Sequence, residues 1–267
     1  LAASDPDEVQ TFIDRYTDTY VNLYKVASEA EWASNTVIID GVETIDEVTK
    51  LANQALSNHT GSVEVIEKVK GYLADTEGLT DLQVKQLKSI LYAAANNPQT
   101  SPQLVKERIA AENLQNSKLF GYTFKVDGKE MTPNDIDKKL EESTELTERR
   151  KVWNASKEVG KVLKDGLAHL VSLRNKTVTG LGYDDYFAYQ VADYGMDTDE
   201  MMELNEKFVR ELWPLYRELH TWARYELADK YGAKEVPDML PADWLPNRWA
   251  QDWSPMVTVE GLDLDGI

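Results

Sequence analysis

The 267-residue sequence contains no cysteine, only three histidines and a deficit of positive charge. The absence of cysteine excludes disulfide bonds, cysteine-ligated zinc and cysteine nucleophiles, and it leaves the redox compartment open. The 29 lysines and arginines stand against 47 aspartates and glutamates, which gives a net charge of −18. Proteins that coat nucleic acids or bind anionic lipid surfaces need a basic face. The sequence therefore predicts neither a nucleic-acid partner nor attachment to anionic lipid.

Long apolar runs are also absent. No stretch approaches about 18 uninterrupted apolar residues, so no transmembrane helix is expected. The chain does contain 7 Trp, 13 Tyr and 5 Phe among 42% hydrophobic residues, which is enough apolar surface for a globular core. Its length suits one large domain or two small ones. The first residues, Leu1 to Ser4, resemble the remnant of a removed signal peptide, although an artificial start of the chain would look the same.

Most of the chain follows the pattern of amphipathic helices. Asp5 followed by Pro6 predicts the start of a long first helix, because this cap and proline order suits a helix N-terminus. Apolar residues then recur at intervals of three and four. The same pattern predicts further helices near residues 45–56, near 63–73, from Thr80 to about 96, after Pro102, after Pro133, from about 146 to 181, and from about 197 to 231.

One segment breaks the helical pattern. Residues 122–131 alternate apolar and polar side chains around Asp127-Gly128, which is a strong signal for a two-stranded hairpin. The expected fold class is therefore mainly α, with one short β-hairpin near 122–131.

Catalytic motifs are missing from the sequence. His59, His169 and His220 have no second histidine four residues away, and the chain lacks H-E-x-x-H, G-x-S-x-G and a glycine-rich phosphate loop. The acidic clusters lie at predicted helix ends, where they favour the helix dipole, and they do not meet the spacing of a calcium loop. No catalytic residue and no metal ligand is predicted in this chain.

The least regular segment is Leu240 to Trp253, with the sequence L-P-A-D-W-L-P-N-R-W-A-Q-D-W. Three tryptophans within ten residues alternate here with Pro, Arg, Gln and Asp. Such a segment can be a structural plug between lobes or the wall of a peptide-sized cleft, and the pattern does not separate the two. We call residues 240–253 the Trp segment.

The Trp segment resembles I-P-A-H-L-L-G-x-M-W-A-Q-x-W of the angiotensin-converting enzyme family, the M2 zinc peptidyl-dipeptidases. Residues 214–222 (P-L-Y-R-E-L-H-T-W) and 230–232 (K-Y-G) are similar to its P-L-Y-L-N-L-H-A-Y…H-Y-G helix. Residues 30–36 and 57–60 are similar to its A-N-W-N-Y-N-T and A-N-H-T motifs. The order of the motifs agrees across nearly the whole chain, which is identified as an N-terminal portion of a bacterial-type member.

The resemblance implies a zinc enzyme that releases C-terminal dipeptides from oligopeptides, with two helical lobes around a deep central cleft. In this family the zinc ligands and the residues that grip the substrate lie downstream of the Trp segment. Zinc is therefore expected to be bound downstream of this chain, which alone would be an inactive fragment that partners the C-terminal remainder. The alternative is a non-catalytic helical binding or scaffold module that ends at Ile267.

The resemblance also assigns expected roles within the chain. Residues 1–97 would form lid-like helices, with Trp32 and Asn35 covering the mouth of the cleft. Residues 98–267 would form the helical body and the cleft wall. Four residues of the Trp segment would support the cleft floor: Arg248, Trp249, Gln251 and Trp253.

Departures from the animal members guide the remaining expectations. Animal members carry a disulfide around the hairpin, and this chain has no cysteine there. Their first chloride site uses an arginine whose equivalent falls near Val191, with no arginine close by, and an aromatic of their second site aligns with Trp222. Chloride binding is therefore left open. The habits of the family favour export, to a periplasm or beyond.

Overall fold

The computed structural model describes residues 5–36 and 44–257, without the side chains at 34, 35 and 44–46. Helices account for most of this part, which confirms the predicted mainly α fold. Their bounds are α1 Pro6–Thr36, α2 Thr44–Thr60, α3 Val63–Ala74, α4 Asp81–Asn96, α5 Pro102–Phe120, α6 Pro133–Glu142, α7 Leu146–Lys157, α8 Val159–Thr179, α9 Tyr186–Ala192 and α10 Thr198–Lys230. Short 3₁₀ turns follow at Ala242–Trp244 and Ser254–Met256.

Two predicted helix starts are explained by reciprocal side-chain caps. The Thr80 hydroxyl accepts from the Gln83 amide at 3.2 Å, while the Gln83 side chain accepts from the Thr80 amide at 3.0 Å. Thr132 and Asp135 form the same box at 3.1 and 2.9 Å, with Pro133 at the first helical position. Each box satisfies two amides that have no partner within the helix. These caps set the starts of α4 and α6.

The predicted hairpin is confirmed as β1 Phe124–Val126 and β2 Lys129–Met131, paired antiparallel with Phe124 opposite Met131. Asp127 and Gly128 connect the strands with φ of 50° and 82°. Positive φ at both turn positions matches the right-handed twist of the strands, which is why Asp-Gly is favoured there.

The single helix predicted from about 146 to 181 is wrong, because α7 and α8 are separate. At Glu158 the amide donates to the Ala155 oxygen, three residues back, at 3.2 Å. The buried Ser156 hydroxyl donates to the Trp153 oxygen at 2.6 Å, which is the acceptor that the Lys157 amide would otherwise use alone. The helical ladder is interrupted for one residue at Glu158, where the amide bonds three rather than four residues back. The patterns did not predict the short α9, which is capped by Asp185, whose side chain accepts from the Ala188 amide at 2.8 Å.

The chain divides into two compact units. The first unit comprises Leu1–Glu112 with Ala168–Met201. Its core contains three groups of buried side chains: Val9, Ile13, Tyr16, Val65, Val69, Leu87 and Ile90; then Ile66, Ala94, Ala95, Val178, Leu181 and Tyr189; and then Ala27, Ala30 and Ala52. Apolar faces of amphipathic helices therefore build this unit, as the three- and four-residue spacing indicates.

The second unit comprises Asn113–Leu167 with Met202–Ile267. Its core has two groups: Phe124, Ile136, Leu140, Val152 and Val159 at the hairpin, and Leu227, Ala228, Trp244 and Leu245, the last two of which belong to the Trp segment. By contrast, α10 leaves a run of large apolar side chains between 41% and 68% exposed: Phe208, Val209, Leu212, Trp213, Leu215, Tyr216 and Leu219. No helix in the described part of the chain is long and apolar enough to cross a membrane. The assignment of residues 1–97 to a lid stays a prediction.

Candidate functional site in the Trp segment

The Trp segment is anchored by one buried arginine of α7. Arg149 is 1% exposed. Its N–H groups donate at 2.5–3.1 Å to five main-chain oxygens: Asp243, Trp244 and Leu245 in the Trp segment, and Leu140 and Ser143 at the end of α6. A guanidinium has five N–H donors, so every one of them is used. The irregular segment has no helical or sheet partners for these carbonyls, and the arginine replaces them.

Aromatic packing completes the anchor. The guanidinium carbon of Arg149 lies 5.1 Å from the centre of the Tyr231 ring, and the Tyr231 hydroxyl donates to the Trp244 oxygen at 3.0 Å. Burial lowers the pKa of Arg149, and the nearby Tyr231 and Asp243 oppose that shift. An arginine in a protein nevertheless stays protonated. The anchor is therefore a fixed positive charge dispersed over carbonyl dipoles and a π face.

Further along the segment, Arg248 pairs with Asp137 of α6. The Arg248 Nε lies 2.9 Å from Asp137 Oδ1, and its Nη2 donates to Oδ2 at 3.1 Å. Only the Nη2 contact is a hydrogen bond, and it is charge-assisted, while the close approach of Nε to Oδ1 adds electrostatic attraction. The Arg248 guanidinium carbon also lies 5.3 Å from the Trp249 ring centre. Arg248 is thus turned toward α6 and is held there.

The two following aromatic side chains differ in exposure. Trp249 is 54% exposed, whereas Trp253 is partly buried against the Leu227 and Leu245 group, and its indole N–H donates to the Ala250 oxygen at 3.3 Å. Between them the backbone turns sharply at Ala250, where φ is +57°. Gln251 is exposed. The structure therefore brings the four predicted residues into one short turn, with Trp249 as the large aromatic surface left open.

The comparison with known families agrees with the motifs. A family model described as peptidase M2, angiotensin-converting enzyme, matches residues 3–260. The chain belongs to this family. The match extends over parts of both units and includes the whole Trp segment, so the turn at residues 248–253 lies within the matched region.

The other predicted site residues of this M2 chain lie in the first unit. Trp32 of α1 is 72% exposed. It borders an open groove of about 420 Å³ between α1 and α2, which is lined by Tyr24, Ala27, Ser28, Glu31, Trp32, Asn53 and Leu56. The Asn53 side chain donates to Glu31 at 2.6 Å across this groove. Asn35 belongs to α1, but its side chain lies outside the described part.

The described residues do not fit the zinc ion that the M2 family uses. Across 5–36 and 44–257, no three histidine, cysteine, aspartate or glutamate side chains come together in a way that could hold a metal. The His59 ring stacks on the Tyr16 ring with 4.7 Å between their centres, and its Nε2 lies 3.2 Å from the main-chain oxygen of Tyr16. His169 is exposed, and His220 packs 6.0 Å from the Tyr216 ring. We therefore derive no catalytic step through zinc from these residues.

Sequence reasoning missed the residues that hold the Trp segment in place. Arg149, Trp153 and Lys157 recur every four positions along α7 and so share one face, and Asp137 supports Arg248 from α6. The one sequence signal for these residues is that two cationic side chains and one aromatic side chain recur on the same face of a mostly polar helix. Its partner could not be inferred, because the acceptors are main-chain oxygens 94–96 residues away.

Proposed function

We propose that this chain is the N-terminal part of a zinc-dependent peptidyl-dipeptidase that releases C-terminal dipeptides from oligopeptides. The match of residues 3–260 to the peptidase M2 family carries the proposal. Zinc would polarise the scissile carbonyl and activate water when bound. Its ligands would come from residues outside this chain, since the described ones do not fit it. Chloride dependence and an extracytoplasmic location stay predictions from the sequence.

The exposed face of α10 supports a further part of the same polypeptide as a partner. Seven large apolar side chains between Phe208 and Leu219 are 41–68% exposed. Monomeric proteins rarely leave contiguous apolar surface of this kind uncovered, and such patches mark packing interfaces. We propose that the zinc-binding remainder of the enzyme covers this face.

The Trp segment and α1 supply the proposed contacts with peptides. Trp249 is exposed on a turn that follows the carbonyls held by Arg149, and a rigid aromatic near such a support suits the wall of a ligand cleft. Trp32 and the groove beside it suit the proposed lid. Arg248 and Trp253 face α6 and the core, so their proposed role is to support the cleft floor rather than to touch the peptide.

The decisive experiment compares this chain with the full gene product that contains it. We expect stoichiometric zinc and release of C-terminal dipeptides from a free-acid hexapeptide only in the full product. The C-terminally amidated hexapeptide is the matched control, because it lacks the terminal carboxylate that a dipeptide-releasing enzyme grips. A full product without zinc and without turnover would instead support the non-catalytic helical module.

The lid assignment has its own test. Deletion of residues 1–60 from the full product should relax selection against long peptides or abolish activity. Identical kinetics on short and long peptides would contradict a lid role for α1 and α2.

A further inference from the structure

Lys157, at the end of α7, has an unusual environment for a lysine. Its ammonium nitrogen lies 4.9 Å from the ring centre of Trp153 and 4.4 Å from that of Trp249. It also donates to the main-chain oxygen of Arg248 at 2.6 Å. The cation is therefore enclosed by two indole faces, one from its own helix and one from the Trp segment.

The charged groups around Lys157 do not include a carboxylate partner. Among the described residues, no carboxylate oxygen lies within 4.0 Å of its nitrogen, although such pairs form next to it. Arg248 approaches from the Trp segment, and its charge is paired with Asp137 of α6. At the start of α8, Lys161 is paired with Glu158 at 2.6 Å. The indole faces and one carbonyl thus take the place of a counter-ion.

We propose that Lys157 is a positioning residue that holds the exposed Trp249 ring at the surface of the Trp segment. The ammonium fixes the segment through the Arg248 carbonyl and fixes the ring through its face, so two adjacent residues are held by one side chain. The proposed use of this ring, as part of a wall that contacts bound peptide, rests on the proposed function. The placement itself does not.

A pH effect follows from this geometry. Burial, and then the charge of Arg248, lower the pKa of Lys157 from its ordinary value. Loss of the proton removes the cation–π attraction, so the hold of the amine on the ring weakens. The Trp249 environment should therefore change in alkaline solution, before ordinary exposed lysines titrate.

Fluorine NMR of the 267-residue chain, labelled with 5-fluorotryptophan, tests the proposal. The Trp249 signal is assigned from Trp249→Phe. In the unmodified chain we expect the Trp249 and Trp153 signals to shift together in alkaline solution, with a midpoint below that of an ordinary lysine. Lys157→Arg should keep the neutral-pH positions of both signals and lose the alkaline shift, because arginine does not titrate there.

Lys157→Met should move both signals at neutral pH, with the Trp32 and Trp213 signals unchanged. Lys161→Met is the matched control, since it removes an exposed lysine one turn away and should leave all tryptophan signals in place. An unmoved Trp249 signal in Lys157→Met, or an alkaline shift that persists in Lys157→Arg, would overturn the proposal. These spectra report ring placement whether or not the full product is a peptidase, so the two proposals can fail separately.

Discussion

In the first unit, aromatic rings fill the space between regular helices, whereas in the second unit cations of one helix bind main-chain oxygens of an irregular segment. Tyr16 stacks on Tyr20 at 6.1 Å and on His59 at 4.7 Å, and Tyr92 stacks on Tyr189 at 4.5 Å. The first unit also buries Arg108, which donates to the Asn96 main-chain oxygen at 2.8 Å, but its charge is paired with Glu112 at 2.7 Å. In the second unit Arg149 donates only to main-chain oxygens and stacks on Tyr231, with no ion-pair partner among the described residues.

The difference follows from how the backbone N–H and C=O groups of each unit find hydrogen-bond partners. Regular helices pair their own N–H and C=O groups, so their contact surfaces need only match in shape. The Trp segment lacks that internal pairing, and its buried carbonyls require donors from elsewhere. The first unit should therefore be sensitive to lost volume, and the second unit to lost donors.

The largest expected effect is that of Arg149→Met. The substitution leaves buried carbonyls without donors, so we expect a loss of about 3–5 kcal/mol in the free energy of unfolding. Denaturant unfolding measures this loss, and hydrogen exchange should show lost protection around residues 243–249. The control is Arg150→Met, where the side chain is 66% exposed and 3.3 Å from Asp243, with an expected cost below about 1 kcal/mol. Equal costs for the two variants would contradict the anchor.

Ile13→Ala probes the first unit. Ile13 is 1% exposed in the core below α1, and removal of its side chain should cost about 2–4 kcal/mol through lost burial and an unfilled cavity. Val21→Ala, on the same helix at 55% exposure, should cost less than about 0.5 kcal/mol. Thermal and denaturant unfolding compare the stabilities of the two variants. A small loss of stability in Ile13→Ala would contradict the statement that the first unit is sensitive to lost side-chain volume.

Gly166→Ala tests packing inside the second unit. A Cβ at Gly166 would lie 1.7 Å from the side-chain nitrogen of the buried Gln115, so that side chain must move, at about 1–3 kcal/mol. Gly160→Ala in the same helix meets nothing within 4 Å and should stabilise by about 0.5–1 kcal/mol. A loss of stability in Gly166→Ala as large as that in Arg149→Met would mean that both units are equally sensitive to changes in side-chain volume.

The smallest effect concerns alkaline pH. Burial raises the pKa of Tyr183 in the first unit from 10.0 to about 12. Between these values only the unfolded state loses the proton, so stability falls as pH rises through that range. Tyr183→Phe should therefore shift the alkaline unfolding midpoint, followed by circular dichroism, to higher pH. Tyr194→Phe, at 70% exposure, should leave it unchanged.

The second unit should respond in acid, because hydrogen bonds from Ser143 and Lys139 lower the pKa of Glu148. The contribution of these hydrogen bonds to the free energy of unfolding is lost as pH falls through the lowered pKa.

Local signals predicted local structure well. Thr80 and Thr132 mark helix starts because a cap needs only residues within one turn, and Asp127-Gly128 marks the hairpin for the same reason. The break at Glu158 escaped prediction, because the apolar spacing continues across it.

The candidate site was predictable only in part. The Trp segment could be recognised from its tryptophans, and Trp249 is exposed as a cleft residue needs to be. Its supports, Arg149 and Lys157, could not be paired with it, because main-chain oxygens have no sequence signature. Which residues face a bound peptide stays a prediction.

The interleaving of the two units has a consequence for synthesis on the ribosome. The first unit is complete once Met201 has emerged, whereas the second unit waits for residues beyond Met202. Arg149 is made 94 residues before Asp243, a delay of roughly 5–20 s at ordinary elongation rates. During that interval α7 carries a cation that still lacks three of its acceptors and is hydrated by water instead. Slow elongation at codons 202–245 should therefore lower the yield of the second unit more than that of the first.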